Sequence, residues 1–359
     1  MKSIFFLLMS LISFSTFSQD TIKPNPLTFS GYVEGYYSYD FNKPTSNTKP
    51  AFLYNYNRHN EFNLNLGFVK AAYSTDRVRA NLAVAAGTYM NANYAAEPGV
   101  LKNVFEANAG YKLSGKKNIW FDIGIMPSHI GFESAIGKDN WTLSRSLVAE
   151  NSPYFQGGAK VSYTSDNGKL SIAALALNGW QRITRVEGNS LMSWGSQITI
   201  KPSSKVTLNY STFFGTDKPD SARLFRTYHN IYGIFQFSDK LGLTAGFDIG
   251  TEEKSVQDNS TNTWYAPVAI LRFTPSQKWA IALRGEYFRD ENGVIISTGT
   301  ANGFETVGLS ANLDYLPAPN AVIRLEFRNL NNSDEIFSNE SGSAKRSDAA
   351  VTLAAAISF

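Results

Sequence analysis

The chain has 359 residues, with 33 Lys and Arg against 30 Asp and Glu, and no Cys. The near-balance of charge argues against a nucleic-acid partner, and the lack of Cys excludes disulfides and thiolate chemistry. Aromatic residues make up 14% of the chain and no apolar helical stripe accompanies them, which points to an all-β protein.

The opening "MKSIFFLLMSLISFSTFSQD" reads as a secretory signal peptide. Lys2 supplies the positive end, an apolar core runs from Ile4 to about Phe14, and Thr16 and Ser18 are the small residues of a cleavage site. Removal of residues 1–18 leaves 19–359 as a single expected domain. The apolar core is too short to span a bilayer as a helix, and no Cys follows it to accept a lipid.

From there apolar and polar residues alternate with period two, as in strands with one apolar face. Such segments fall near 28–40, 59–75, 77–91, 103–113, 118–127, 154–164, 169–180, 191–201, 204–215, 223–237, 240–251, 263–274, 278–290, 304–315, 320–330 and 349–359. Phe62, Leu64, Leu66 and Phe68 share a face of the second; Phe105, Ala107, Ala109, Tyr111 and Leu113 share a face of the fourth. Val351, Leu353, Ala355, Ile357 and Phe359 share a face of the last. The opposite faces carry small and polar residues, which suits a wet interior. A secreted all-β chain of this kind predicts a transmembrane antiparallel up-and-down β-barrel of about 16 strands (14–18) in the outer membrane of a Gram-negative bacterium. In lipid such a sheet must close, so that every backbone group is paired.

The connections alternate in length. Those at 41–58, 92–102, 128–153, 181–190, 216–222, 252–262, 291–303 and 331–348 are long and polar. Those near 75–76, 114–117, 165–168, 202–204, 238–239, 275–277 and 316–319 are short and rich in Gly, Pro, Asp, Asn and Ser, the residues of tight turns. Long extracellular loops alternating with short periplasmic turns are the outer-membrane pattern.

Alternation turns Glu34, Glu61, Glu106 and Asp122 inward on early strands, and Arg272, Arg284, Arg324 and Arg328 inward on late ones, offset by Glu286 and Glu326. Lys or Arg on the lipid face costs about 2–4 kcal/mol at the midplane, which is why these charges are expected inside. Opposed acidic and basic walls would set a transverse field across a pore. Inward Tyr32, Tyr36, Tyr89 and Trp120 either fill space or offer flat faces to a sugar.

Residues 128–153 form the longest irregular segment and carry His129, Glu133, Lys138, Asp139, Arg145 and Glu150. A loop of that length is functional or disordered. The expectation is a constriction loop folded into the lumen, with Glu133, Lys138, Asp139, Arg145 and Glu150 at the narrowing; a surface lid is the alternative.

"GIMPSHIGFESA" (124–135), "NWTLSRSLVAENSPYFQGGAKVSY" (140–163) and "NGW" (178–180) carry a family likeness. Through Gly131-Phe132-Glu133, Ser144-Arg145-Ser146, Pro153, Gly157-Gly158 and Asn178-Gly179-Trp180 the chain resembles the β-barrel porin-2 family, the OmpL-like porins. "GYVEGYYSYD" is similar to that family's first strand. The motifs cover roughly 28–180, and the second half matches in style only. The resemblance implies an outer-membrane porin, a passive diffusion channel for small hydrophilic solutes or ions that works without a cofactor. The final "ISF", ending on Phe359, resembles the signal read by barrel-assembly machinery. Lipid of the outer membrane is the expected surround, and a homo-oligomer is compatible with this reading. A substrate-binding or structural barrel with a plugged lumen is the alternative.

An outer-membrane hydrolase is the rival class. It needs a nucleophile and a base within hydrogen-bond reach, and His59, His129, His229, Ser144 and Ser146 form no motif that fixes one. No His, Asp and Glu spacing suggests zinc or calcium. "SDNG" at 165–168 reads as a turn and "GTANG" at 299–303 as a loop. Neither catalysis nor a metal is expected.

Overall fold

The computed structural model describes residues 25–359, so the expected signal peptide, residues 1–18, lies outside the described residues. Sixteen antiparallel strands close a barrel in chain order. They are β1 (Leu27–Asp40), β2 (Phe62–Ser74), β3 (Val78–Ala86), β4 (Val104–Lys112), β5 (Asn118–Pro127), β6 (Phe155–Thr164), β7 (Leu170–Leu177), β8 (Ser193–Ser203), β9 (Val206–Gly215), β10 (Arg226–Gln236), β11 (Leu241–Ser255), β12 (Asp258–Ser276), β13 (Trp279–Asp290), β14 (Phe304–Ala318), β15 (Ala321–Asn332) and β18 (Ser347–Ser358). A small hairpin, β16 (Phe337–Ser338) with β17 (Ala344–Lys345), sits in the last long loop. Helix is confined to short turns, chiefly α1 (Thr88–Asn93) and α2 (Leu147–Glu150).

The seam joins β1 to β18, from Tyr32 opposite Ser358 to Asp40 opposite Ala350. Phe359 completes it. Its N–H donates to the Gly31 carbonyl at 3.0 Å and its own carbonyl accepts from the Gly31 N–H at 2.7 Å. The Phe359 ring lies over Gly31, where a Cβ would stand 2.5 Å from it. The missing side chain lets the terminal ring lie flat over the first strand.

Alternation sorts the faces. On β14, Thr306, Ser310, Asn312 and Asp314 are buried inside, whereas Val307, Leu309 and Leu313 are exposed outside. Apolar exposure repeated around the whole sheet is stable in hydrocarbon and not in water. Phe29, Tyr73, Tyr111, Phe237, Phe273, Trp279 and Phe359 are exposed toward the short-turn ends, as an interfacial aromatic girdle requires.

The structure departs from the period-two reading in three places. First, β2 carries a bulge: its pairing with β1 shifts between Glu34/Gly35, leaving Asn65 extra. A bulge re-aims the side chains beyond it. Phe62 stays outside, 84% exposed, but Leu66 is fully buried and the Phe68 ring stacks on Tyr32 and Phe105. A second bulge, between Ala83/Val84 on β3, leaves Phe105 extra on β4 and beside Phe68 rather than in lipid. Second, β3 stops at Ala86 instead of running to 91. Gly87 adopts φ 136°, and a Cβ there would stand 2.3 Å from the Asn65 carbonyl. The chain turns into α1, so Tyr89 is buried from a helix and not from a strand face. Third, the expected loop at 252–262 is largely ladder, with Glu252 opposite Asn262 and Ser255 opposite Asp258. Beyond the membrane, polar residues need not leave a sheet, so polarity alone misreads such a hairpin as loop.

Candidate functional site

Loop 128–153 leaves β5 and returns to β6 through the barrel interior. Its neck is closed by the Ser128 N–H donating to the Tyr154 carbonyl at 2.9 Å. His129 anchors it to β9: Nε2 meets the Thr212 carbonyl at 2.8 Å and Nδ1 meets Gln156 at 2.9 Å. The His129 carbonyl accepts from Gln197 and Ser211, both at 2.8 Å. Burial pushes the His129 pKa below its ordinary value, so this ring is a neutral structural bracket. The Gly131 N–H then donates to Asn230 on β10 at 3.1 Å.

The far end of the loop is pinned to the late strands. The Arg324 guanidinium donates to the Gly137 and Asn140 carbonyls at 2.7 and 2.9 Å while it forks onto Asp314. Asn312 accepts the Leu143 N–H at 3.0 Å, and Glu326 accepts the Ser144 N–H at 3.1 Å. Arg284 donates to the Ser144 carbonyl at 2.6 Å and to Thr142 at 3.1 Å. Glu286 accepts the Leu147 N–H at 2.5 Å. Most of these contacts meet a loop backbone group that helix or sheet would otherwise satisfy, which an irregular buried segment demands.

Arg145, expected at the narrowing, is 0% exposed. Its guanidinium donates to the Ser134, Ala135 and Leu143 carbonyls at 2.6 to 2.8 Å and so ties the loop's two limbs together. Glu133 is held by the Ser146 N–H and hydroxyl, and burial raises its pKa. Lys138 and Asp139 lie on the short turn Gly137–Asp139, with the Lys138 N–H donating to the Tyr32 hydroxyl at 3.2 Å.

The expected pair of opposed charged walls is replaced by two walls of mixed sign, in which most of the charges pair within their own wall. On the basic side Arg284 lies 3.3 Å from Glu286 and 3.6 Å from Glu326, and Arg328 lies 2.7 Å from Glu286. Arg272 stands over Trp141 at 6.0 Å, and its Nε has no hydrogen-bond partner among the described residues. On the acidic side Glu106 pairs with Lys70 at 2.5 Å, and Asp122 pairs with Arg79, which also covers Trp120. Glu34 is fully buried and accepts from Asn65 at 2.9 Å. Glu61 precedes β2 and pairs with Arg58 at 2.8 Å, partly exposed and outside the wall. Buried charge without a partner is too costly to keep, so each wall recruits its own counter-ions. Lys70 was legible in principle: past the β2 bulge it faces inside, and a Lys left on the lipid face would have signalled the shift.

Loop 41–61 clamps α2. Glu150 accepts the Tyr54 N–H at 2.9 Å and the Asn55 side chain at 3.1 Å. Burial pushes the Glu150 pKa from its ordinary 4.5 to about 7, against the pull of Arg145. The folded protein therefore holds this proton more tightly than the unfolded chain does. The contribution of Glu150 to stability is expected to be full below about pH 4.5 and to be lost as pH rises to about 7, by proton linkage. The melting temperature of Glu150→Gln against pH should show a shallower fall over that window.

Two larger spaces border the loop. One, of about 350 Å³, lies against Phe68, Lys70, Phe105, Glu106, Phe132 and Tyr154. The other, of about 220 Å³, lies on the long-loop side of α2. Among the described residues no group of three or more His, Asp or Glu is placed to hold a metal. Ser144 and Ser146 bond to Glu326 and Glu133 rather than to a His. His59 accepts the Asp40 N–H, and His229 stacks on Tyr210.

A closed sixteen-stranded barrel with an apolar outer band and its longest loop folded inside is an outer-membrane porin. The chain belongs to the family described as "Putative beta-barrel porin-2, OmpL-like", whose profile matches residues 26–359. It is a diffusion channel of the Gram-negative outer membrane, and the family and fold are those of a non-enzymatic channel. Solved porins share the fold. OmpT of Vibrio cholerae in its trimer form is 11% identical with a TM-score of 0.60, over 93% of this chain and 99% of that one. The anion-selective porin from Comamonas acidovorans is 9% identical with a TM-score of 0.59, over 93% and 99%. OprB of Pseudomonas putida is 8% identical with a TM-score of 0.58, over 93% and 94%. No curated protein matches the chain.

Proposed function

We propose that loop 128–153 is the constriction of this porin, and that small hydrophilic solutes or ions cross between the loop and the wall formed by β2 to β6. The observation that supports this reading is where the bracing leaves room: the loop is bonded to β8, β9 and β10 at one end and to β13, β14 and β15 at the other, and the larger space beside it lies against β2 and β4. Arg145, Arg284 and Arg324 hold the loop in place. The charges that act on ions are those left in surplus. On the near wall Lys70, Arg79 and Lys160 face Glu106 and Asp122, and on the far wall Arg272 stands without an ion pair among the described residues. Surplus positive charge favours anions.

Single-channel recording in planar bilayers tests the reading. Lys160→Gln combined with Arg272→Gln is expected to move the reversal potential toward cations in a gradient near 0.1 M salt. The shift should shrink near 1 M, where the Debye length falls from about 10 Å to about 3 Å. An unmoved reversal potential in folded protein takes both charges off the path.

No catalysis is assigned to the chain. Its partners in this reading are outer-membrane lipid and the barrel-assembly machinery, with Phe359 as the recognised terminus. The trimer form of the matched OmpT supports a homotrimer here, which light scattering of the detergent-solubilised protein would test.

A further inference from the structure

The 220 Å³ space on the long-loop side of α2 is lined by Glu150, Trp180, Gln181, Arg182, Asp217 and Arg226, among others. Trp180 of the "NGW" turn, which the constriction does not use, lines it. Two of its charges are already satisfied. Arg226 pairs with Glu252 at 2.6 Å and lies over Trp180 and Trp264 at 5.2 and 5.7 Å. Glu150 is occupied by loop 41–61. Asp217 and Arg182 are different. Asp217 is partly buried and uses Oδ1 to accept the Trp180 N–H at 2.9 Å. Its second oxygen has no donor, and the Arg182 guanidinium no acceptor, among the described residues.

The acid and the aliphatic stem of the base nevertheless flank one point. A Cβ built on Gly179, which has φ 153°, would stand 2.4 Å from Asp217 Oδ1 and 3.0 Å from Arg182 Cγ. They do not meet, for no ion pair within 4.0 Å joins them. Partly desolvated charges of opposite sign, held close and apart, are stabilised by a ligand that carries both signs. A simple ion satisfies one and is repelled by the other, and a neutral solute neutralises neither. The size agrees: 220 Å³ holds roughly seven waters at about 30 Å³ each, space for a small amino acid.

We propose that this vestibule is a docking site for a small zwitterion of the α-amino acid class, with Arg182 taking the carboxylate and Asp217 the ammonium. Because Gln181 accepts the Tyr154 N–H at 2.7 Å, the site abuts the return limb of loop 128–153. A bound solute would wait on the long-loop side of the constriction.

Isothermal titration of the detergent-folded protein with L-alanine tests this without requiring conduction. Saturable binding is expected, weakened at least about tenfold in Asp217→Asn and in Arg182→Gln, the loss of one charge-assisted hydrogen bond. Asp217→Asn keeps an oxygen for the Trp180 N–H, and a gel shift on heating verifies that each variant is folded. N-acetyl-L-alanine amide and glucose should give no saturable heat. The proposal is overturned if folded wild-type protein does not bind L-alanine, if glucose or the blocked amide binds as well, or if both variants bind unchanged.

Discussion

Deleting residues 131–150 and bridging the gap with a short glycine linker is expected to raise single-channel conductance several-fold. A barrel of sixteen strands encloses an aqueous channel unless something fills it. Here the filling is the loop: Thr142, Leu143, Arg145, Ser146 and Leu147 are all 0% exposed inside it. The deletion leaves the strand ladders untouched, because the loop is fastened to them by side-chain bonds and forms no rung of the sheet. Arg284, Arg324 and Asn312 would lose loop partners but gain water, so the barrel should still assemble and shift on heating. Unchanged conductance in such a folded deletion would put the loop outside the conducting path.

Replacing Arg284 by Met is expected to release the loop without unfolding the barrel. The side chain is fully buried, donates to Thr142 and Ser144, and neutralises Glu286 and Glu326. Removing one member of a buried ionic cluster leaves uncompensated charge, at a cost of about 3–5 kcal/mol. The cheapest relief is local: water enters and the loop lifts from β13 and β15. Limited trypsin digestion at Lys138 and Arg145 should accelerate, and the open-channel current should grow noisier. Arg284→Lys should fall between the two, because an ammonium keeps the charge but lacks the planar fork that reaches two acceptors and two acids at once. If Arg284→Met leaves the loop as protected as in the parent, the arginine is not what holds it.

The same contacts explain which parts of the site were legible beforehand. The place of loop 128–153 between the fifth and sixth strands followed from the order of the alternating segments; its length and mixed charge suited a constriction, but a surface lid fitted them too, because a sequence does not aim a loop. The role of Arg145 did not. A charge in a loop reads as solvent-facing or pore-facing until the carbonyls of Ser134, Ala135 and Leu143 are seen to converge on it. Lys70 and Phe68 were missed because one extra residue, Asn65, inverts the alternation beyond it, and a one-residue slip exchanges the faces of a strand. Asp217 and Arg182 carried no signal at all, because they come from different loops and no spacing connects them.

Sixteen strands, their closure and their lipid-facing side are written in the sequence, because lipid and water sort neighbouring side chains locally and period two records the sorting. Bulges, the path of the long loop and the pairing of every inward charge are not. Arg284 meets Ser144 across 140 residues and Arg324 meets Gly137 across 187. Which charge is neutralised inside a closed barrel depends on what the opposite wall and the returning loop bring within about 4 Å, and no local pattern contains that distance.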